Sequence, residues 1–540
     1  MSDSPYAKNW QALYPSHFPK EPALEHDDML ATFRRTVDCA SSEPAFFFFD
    51  RIITYGEVNE QSDALAAWLS GLGVSRGDRI AVASQNAPEF PFVILAAWKI
   101  GAIPVPINPL YKAQELSRIL LDAEPSAIIC EFSAVEQMRQ ALDLAGMASL
   151  PLAHFPSDFD GQQINNGEPG SLSQVLEQYH DQSPSPLDLS GDDIALILYT
   201  SGTTGAPKGA MLNHRALVTN SQFMRDWCDL SRDSRIYAVA PFFHITGFVC
   251  HMTTAFLVGC CSVIHYRFDP GLAVEMIRKW RPDFTIGAIT AFNALISVPG
   301  VSPEDMKSFR QVYSGGAPVP PALKAQIEAA LGITILPAYG MTETAAPAVF
   351  APPHRQTPVL DGQLSIGIPI PSIDLMIADD DGAEVSRGEI GEVLMRGPQV
   401  MDGYWRKAEE SAEALRGGWL HSGDIGKMDD DGWVYLIDRK KDVIISSGFK
   451  VWPTEVEEVL YQHAAIREAA VVGVPDDYRG ENVKAFVTLK SGSEVTADEL
   501  MSHCRTLLTG YKVPRFIEIA ADLPKTVSGK IQRVALRNLQ

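Results

Sequence analysis

Cysteine is sparse in this chain and carries no pairing pattern. Seven are present, Cys39, Cys130, Cys228, Cys250, Cys260, Cys261 and Cys504, an odd number without a CxxC pair or a histidine spacing suited to zinc. A disulfide framework and a zinc module are therefore not expected, and reduced thiols in a cytoplasmic protein are. Basic charge is also in deficit: 45 Lys+Arg face 67 Asp+Glu, a net charge of −22. A field of that sign repels phosphate polymers and anionic lipid, which argues against nucleic-acid binding. Long apolar runs are missing too. Phe90–Ile107 is broken by Pro91, Lys99, Gly101 and two further prolines, and Val249–Ile264 is shorter than the ~18–20 residues of a spanning helix. With neither a basic leader nor an apolar signal core at the start, the expectation is no integral membrane segment and no signal peptide.

The 540 residues are otherwise those of a globular protein, 46% hydrophobic and 21% charged, long enough for more than one domain. From about residue 30 to 345, apolar runs alternate with amphipathic helical segments. Phe46–Phe49 and Arg51–Thr54 read as a strand pair and residues 55–72 as a helix with Val58, Leu65, Trp68 and Leu69 at helical spacing. Strands are expected at 79–83, 127–130, 194–199, 236–240 and 284–288, an order that implies a mostly parallel sheet covered by helices. Residues 157–190, rich in Gly, Asn, Gln, Ser and Pro, read as a surface connection. Beyond about residue 360, turns such as Asp380-Asp381-Gly382 and Asp430-Asp431-Gly432 point to a smaller β-rich subdomain. The charged segment Asp438-Arg439-Lys440-Lys441-Asp442 then precedes an α+β unit in which Thr454 and Glu457 have the spacing of a capping box.

The richest chemistry lies in Tyr199-Thr-Ser-Gly-Thr-Thr-Gly-Ala-Pro-Lys-Gly209, which follows an apolar strand. Glycines let the backbone approach an anion, amides and hydroxyls donate hydrogen bonds, and Lys208 adds positive charge, a composition suited to polyphosphate. Gly205 is followed by Ala206-Pro207 rather than Lys, so this is not a Walker A loop. His154-Phe-Pro-Ser-Asp158 and Ser447–Lys450 fit the short HxxxD and SxxK patterns, but the first borders the connection and both are too loose to support acyl transfer on their own.

With this loop stand Ser314–Ala317, Tyr339–Glu343, Trp419–Asp424, Asp438–Asp442, Ser447–Lys450 and Pro524–Lys530. In this order the seven strings resemble the adenylate-forming enzymes, which include acyl-CoA synthetases, carrier-protein adenylation domains and firefly-type luciferases. The resemblance covers nearly the whole chain and is strongest to bacterial medium- and long-chain fatty acid–CoA ligases. It implies an α/β fold: a large multi-subdomain N-terminal domain, residues 1–438, with parallel helix-covered sheets plus a β-rich subdomain; a hinge linker, 439–442; and a small mobile α+β C-terminal domain, 443–540. It implies ATP, Mg²⁺ and coenzyme A as co-substrates and cofactor, and a small-molecule carboxylic acid as partner, with a homodimer left open. By resemblance, Thr200, Ser201, Gly202, Thr203, Thr204, Gly205 and Lys208 grip the β- and γ-phosphates, and Glu343 with Thr200 holds Mg²⁺. Gly315, Gly316, Ala317 and Tyr339, with Gly340, Met341 and Thr342, form the adenine side. Asp424 accepts the ribose hydroxyls, Arg439 touches ribose and phosphate, and Lys441 is the hinge. Ser447, Gly448 and Phe449 line a pantetheine tunnel once the C-terminal domain has turned. Lys530 is the catalytic lysine between carboxylate and α-phosphate, and His244 shapes the acyl entrance.

The acid is less legible. The expected pocket wall, residues 246–254 and 287–294, is apolar with small residues at Gly247, Gly287, Ala288 and Ala291, which suits an alkyl chain and equally an aryl acid. The leading expectation is a fatty acid–CoA ligase forming acyl-AMP and then acyl-CoA. The alternatives are an aryl or other small-acid CoA ligase, an acyl-AMP ligase loading a carrier protein, and a luciferase-like oxygenase.

Overall fold

A computed structural model describes residues 8–18, 23–156, 170–200, 207–446, 449–476, 479–526 and 530–537. Its centre is a nine-stranded sheet in the order Ile368–Pro369, Ala346–Phe350, Ile335–Met341, Gln311–Ser314, Phe284–Gly287, Arg235–Tyr237, Cys261–Ile264, Pro44–Phe48 and Arg51–Thr54. The six inner strands run parallel, and antiparallel strands close both edges. A second, wholly parallel sheet orders Ile103–Ile107, Arg79–Ala83, Ala127–Glu131 and Leu152–Phe155. Parallel strands need crossover helices on their faces, which is why these strands are apolar along their whole length rather than alternating.

Phe46, Phe47 and Phe48 are all buried, as expected of a strand covered on both faces. Phe46 meets Phe242 and Phe256 edge-on at 6.3 Å each, while Phe47 stacks on Trp280 at 3.9 Å on the other side. Such ring pairs add about 0.5–1.5 kcal/mol each beyond simple burial. The helix Tyr55–Gly71 is opened by Thr54, whose hydroxyl accepts from Glu57 N–H while the Glu57 carboxylate accepts from Thr54 N–H. One expected strand is shorter than its apolar run: 236–240 pairs only as Arg235–Tyr237. The carbonyls of Ala238 and Ala240 are taken by the Asn86 side chain, at 3.1 and 3.2 Å, instead of extending the ladder.

The β-rich subdomain is an antiparallel sheet of Asp374–Ala378, Gly391–Arg396, Leu420–Met428 and Val434–Arg439. The C-terminal unit builds its own sheet from Phe449–Val451, Ile444–Ser446, Gly480–Leu489 and Ile466–Asp476, with Phe516–Ile519 added in parallel.

Two local expectations are corrected. The connection 157–190 is not plain loop, since Leu172–Gln178 is helical with Leu172 buried; residues 157–169, including Asp158, lie outside the described residues. Thr454 and Glu457 do not form a capping box. Their helix, Pro453–Tyr461, begins after Trp452. Thr454 donates from its amide and hydroxyl to Asp438 Oδ2, and Glu457 accepts from Arg533 and from Val471 N–H. A buried guanidinium and a buried carboxylate outcompete the helix end for these groups, because their own desolvation demands partners.

Candidate active site

In the central sheet, Phe284–Gly287, Gln311–Ser314 and Ile335–Met341 end at the same edge, the edge at which open parallel sheets bind ligands. Gly315 follows one of these ends, where a Cβ would come within 2.7 Å of the Ala338 carbonyl oxygen; Gly316 has φ +75°, the left-handed region that glycine enters without strain. Gly340 is required by packing as well, since a Cβ there would lie 1.8 Å from the Ala346 carbonyl oxygen on the neighbouring strand. Ala317 is half-buried beside them. Met341 donates its amide to Thr344 Oγ1, closing the turn that carries Thr342 and Glu343.

Asp424 is buried opposite Arg439 on the paired strand, with Arg439 Nε 3.2 Å from Oδ1. Its Oδ2 accepts from the Tyr339 hydroxyl at 2.7 Å. The carboxylate thus ties the glycine-rich strand ends to the β-rich subdomain and still has lone pairs free for further donors. Glu343 is buried as well; burial pushes its carboxyl up, and a hydrogen bond from the Tyr404 hydroxyl to Oε1, 2.8 Å, works the other way.

Strands Ile194–Thr200 and Lys208–Asn213 pair antiparallel, with Thr200 opposite Lys208 and the Thr200 hydroxyl donating to the Lys208 carbonyl at 3.4 Å. Both ends of the anion loop are therefore anchored. Ser201, Gly202, Thr203, Thr204 and Gly205 lie outside the described residues, as do Ser447 and Gly448. Lys208 Nζ lies over the Tyr404 ring, 5.2 Å from its centroid. Phe449 is exposed and stacks on Tyr511 at 4.7 Å, both within the C-terminal unit.

Lys530 comes from the other end of the chain. Its amide donates to Thr526 Oγ1 and its carbonyl accepts from Thr526 N–H. Burial and the charge of Arg439 push its ammonium down to about 8, against the pull of Asp424. His244 is pushed down to about 4 by burial and by the charge of Lys530. Its Nδ1 accepts from Thr246 N–H at 3.3 Å. Desolvation, and then the Arg439 charge, lower Lys441, which also senses Lys208. Lys530, His244, Arg439 and Asp424 thus share one electrostatic site, although they span nearly 300 residues of sequence.

The expected pocket wall is corrected in one half. Residues Thr246–Thr253 form a wide-turned helix whose residues from Gly247 on are buried, and Gly247 is small because a Cβ would lie 2.1 Å from the Pro241 carbonyl oxygen. Its smallness serves backbone packing. In the other half, Ala291 and Phe292 pack with Tyr237, Val239, Leu295 and Met306 in one hydrophobic cluster around a small void. Tyr404 was not legible as part of the site: it lies 61 residues from Glu343, and its only local mark is an aromatic pair directly after Gly403.

The donors fit the groups that such a site would hold. Among the described residues, no cluster of three or more His, Cys, Asp or Glu could cage a metal alone. One buried carboxylate near a hydroxyl instead suits Mg²⁺, which keeps most of its oxygen ligands from water and phosphate. A strand-edge nucleotide cleft, an anion loop and a lysine returned to it by a small C-terminal unit together define an adenylate-forming ligase. The chain belongs to the AMP-binding enzyme family: that family's model matches residues 33–405, and the model of the AMP-binding enzyme C-terminal domain matches 455–530. It is 34% identical to a long-chain-fatty-acid–CoA ligase of Bacillus subtilis (strain 168), over 97% of each chain. It is 37% identical to a feruloyl-CoA synthase of an Amycolatopsis species, over 90% of this chain and 93% of the relative. Among solved structures it is similar to ATP-bound MatB from Rhodopseudomonas palustris, with a TM-score of 0.84 at 28% identity, over 94% of this chain and 98% of that one.

Proposed function

We propose that the protein activates a medium- or long-chain fatty acid as its acyl-AMP, releasing pyrophosphate, and passes the acyl group to coenzyme A with release of AMP. The observation that carries this reading is the convergence of Lys530 with His244, Arg439 and Asp424, because adenylation requires positive charge where a carboxylate oxygen meets the α-phosphate. In this reading Asp424 accepts the ribose hydroxyls, and Gly315, Gly316, Ala317 and Tyr339 receive the adenine. The Thr200–Lys208 loop and Lys208 hold the β- and γ-phosphates. Glu343 and Thr200 hold Mg²⁺, which neutralises phosphate charge when bound. Lys530, partly stripped of water, neutralises the charge of the two reacting oxygens as the anhydride forms. His244, neutral at physiological pH, packs at the carboxylate without adding a competing charge.

The linker 439–442, with Lys441 as hinge, separates an N-terminal domain from a C-terminal unit that supplies Lys530 in the first step. In the second step Ser447, Gly448 and Phe449 line the thiol's path. In this reading the acid's tail runs beside Val239 and Gly287, against the hydrophobic cluster of Tyr237, Phe292 and Leu295. Apolar surroundings of this kind suit an alkyl chain, and the fatty-acid ligase of Bacillus subtilis points the same way. An aryl acid is the second reading, favoured by the feruloyl-CoA synthase relative and the aromatic lining from Tyr237 and Phe292. The deciding experiment measures AMP and pyrophosphate from ATP with a panel of alkyl and aryl acids, with and without coenzyme A. ADP as product would refute adenylation. Acyl-AMP accumulating in the presence of coenzyme A would favour a carrier-protein acceptor.

A further inference from the structure

Tyr404 stands where three parts of the proposed ATP site meet, and the reaction as written above gives it no task. Its backbone pairs with Ala210 on the strand leaving the anion loop, and the next residue, Trp405, donates its amide to the Gly209 carbonyl at 2.7 Å. Its ring lies under Lys208 Nζ, and its hydroxyl donates to Glu343 Oε1 at 2.8 Å. A phenol suits both neighbours: the ring face is negative and attracts an ammonium, while the O–H is positive and attracts a carboxylate. Lys208 and Glu343 carry opposite charges and flank the same side chain.

We propose that Tyr404 is a positioning residue that holds Lys208 and Glu343 apart and aims each at its own target, the ammonium at phosphate and the carboxylate at the divalent cation. By occupying Oε1, the hydroxyl leaves Oε2 of Glu343 for the cation and fixes the orientation of the carboxylate. The segment beneath it is hydrogen-bonded to a neighbouring helix. Trp405 Nε1 donates to the Asp122 carbonyl, and Asp122 Oδ2 accepts from the hydroxyl of Tyr199, where the anion loop begins. Tyr404 therefore sits on a strand that braces both ends of that loop.

This proposal rests on the ATP-site reading, and its two handles can be removed separately. Tyr404→Phe deletes the hydroxyl and keeps the ring; Tyr404→Leu deletes both. Binding is read directly, without turnover, as retention of ATP in EDTA by equilibrium dialysis and as Mn²⁺ bound in the enzyme–ATP complex by electron paramagnetic resonance. For Tyr404→Phe, metal-free ATP should bind as in the wild type while Mn²⁺ in the complex binds about tenfold more weakly, the worth of a hydrogen bond to a charged group. For Tyr404→Leu, metal-free ATP should weaken as well, by about threefold, as the ammonium loses its ring. A melting temperature within a few degrees of wild type is expected for Tyr404→Phe, so the metal effect is not a folding effect. Unchanged Mn²⁺ binding in Tyr404→Phe, or an equal loss of metal-free ATP and of Mn²⁺, overturns the proposal. A wild-type protein that retains no ATP overturns the site reading itself, and that outcome is distinguishable because it precedes any variant.

Discussion

Arg533 reaches back 95 residues to Asp438, with Nη1 3.1 Å from Oδ1, and the same guanidinium binds Glu457 at 2.7 Å. Three residues before it lies Lys530, so this ion pair ties the segment that carries Lys530 to the strand Val434–Arg439. Asp438 and Glu457 are buried and Arg533 nearly so, and removing the guanidinium leaves both carboxylates without their shared countercharge. Arg533→Met should therefore cost about 3–5 kcal/mol in urea unfolding of the cooperative unit that holds it. A loss under about 1 kcal/mol would show the network to be dispensable.

Lys530→Ala should retain ATP binding and lose adenylation. Removing one charge that acts mainly in the transition state costs about 10²–10³ in rate. Acid-dependent exchange of pyrophosphate into ATP measures this step alone. Exchange at the wild-type rate would remove Lys530 from the chemistry.

The pH profile carries a sign. In the proposed role Lys530 acts as the ammonium, and it is held down to about 8, by burial and then by Arg439. It is charged below that value and neutral above it. kcat/KM for adenylation, which reports the free enzyme, should fall as pH rises through about 8. His244 is held near 4 and stays neutral throughout, so no acid limb above pH 5 should come from it. The residual exchange of Lys530→Ala should lack the alkaline limb; a limb unchanged in that variant would assign it elsewhere.

On the proposed path of the acid's tail, a Cβ on Gly287 would meet Val239 Cγ1 at 2.5 Å. Gly287→Ala should narrow that path and lower kcat/KM for long acids more than for short ones. Each methylene kept from burial forgoes about 0.8 kcal/mol. Adding Val239→Ala should restore the longer acids, because it removes the atom in the way. Equal effects on all chain lengths would place the tail elsewhere.

Much of this protein follows from local chemistry written in order along the chain. The hairpin of Pro44–Phe48 with Arg51–Thr54 and the helix capped by Thr54 and Glu57 each depend on residues within a few positions of one another. Such groups meet whatever the rest of the chain does, so their spacing can be read directly. Thr454 and Glu457 show where this ends. Their spacing suits a helix cap, yet Asp438 and Arg533 claim both, and only the fold brings those competitors within reach. Gly247 and Gly340 are alike in this respect: in sequence they resemble room for a ligand, and in space they are crossings of main chain. The union of Tyr404 with Glu343 and the arrival of Lys530 beside His244 were likewise decided by tertiary structure, because buried charges take their partners from whichever segments packing delivers, and separation along the chain sets no limit on that choice.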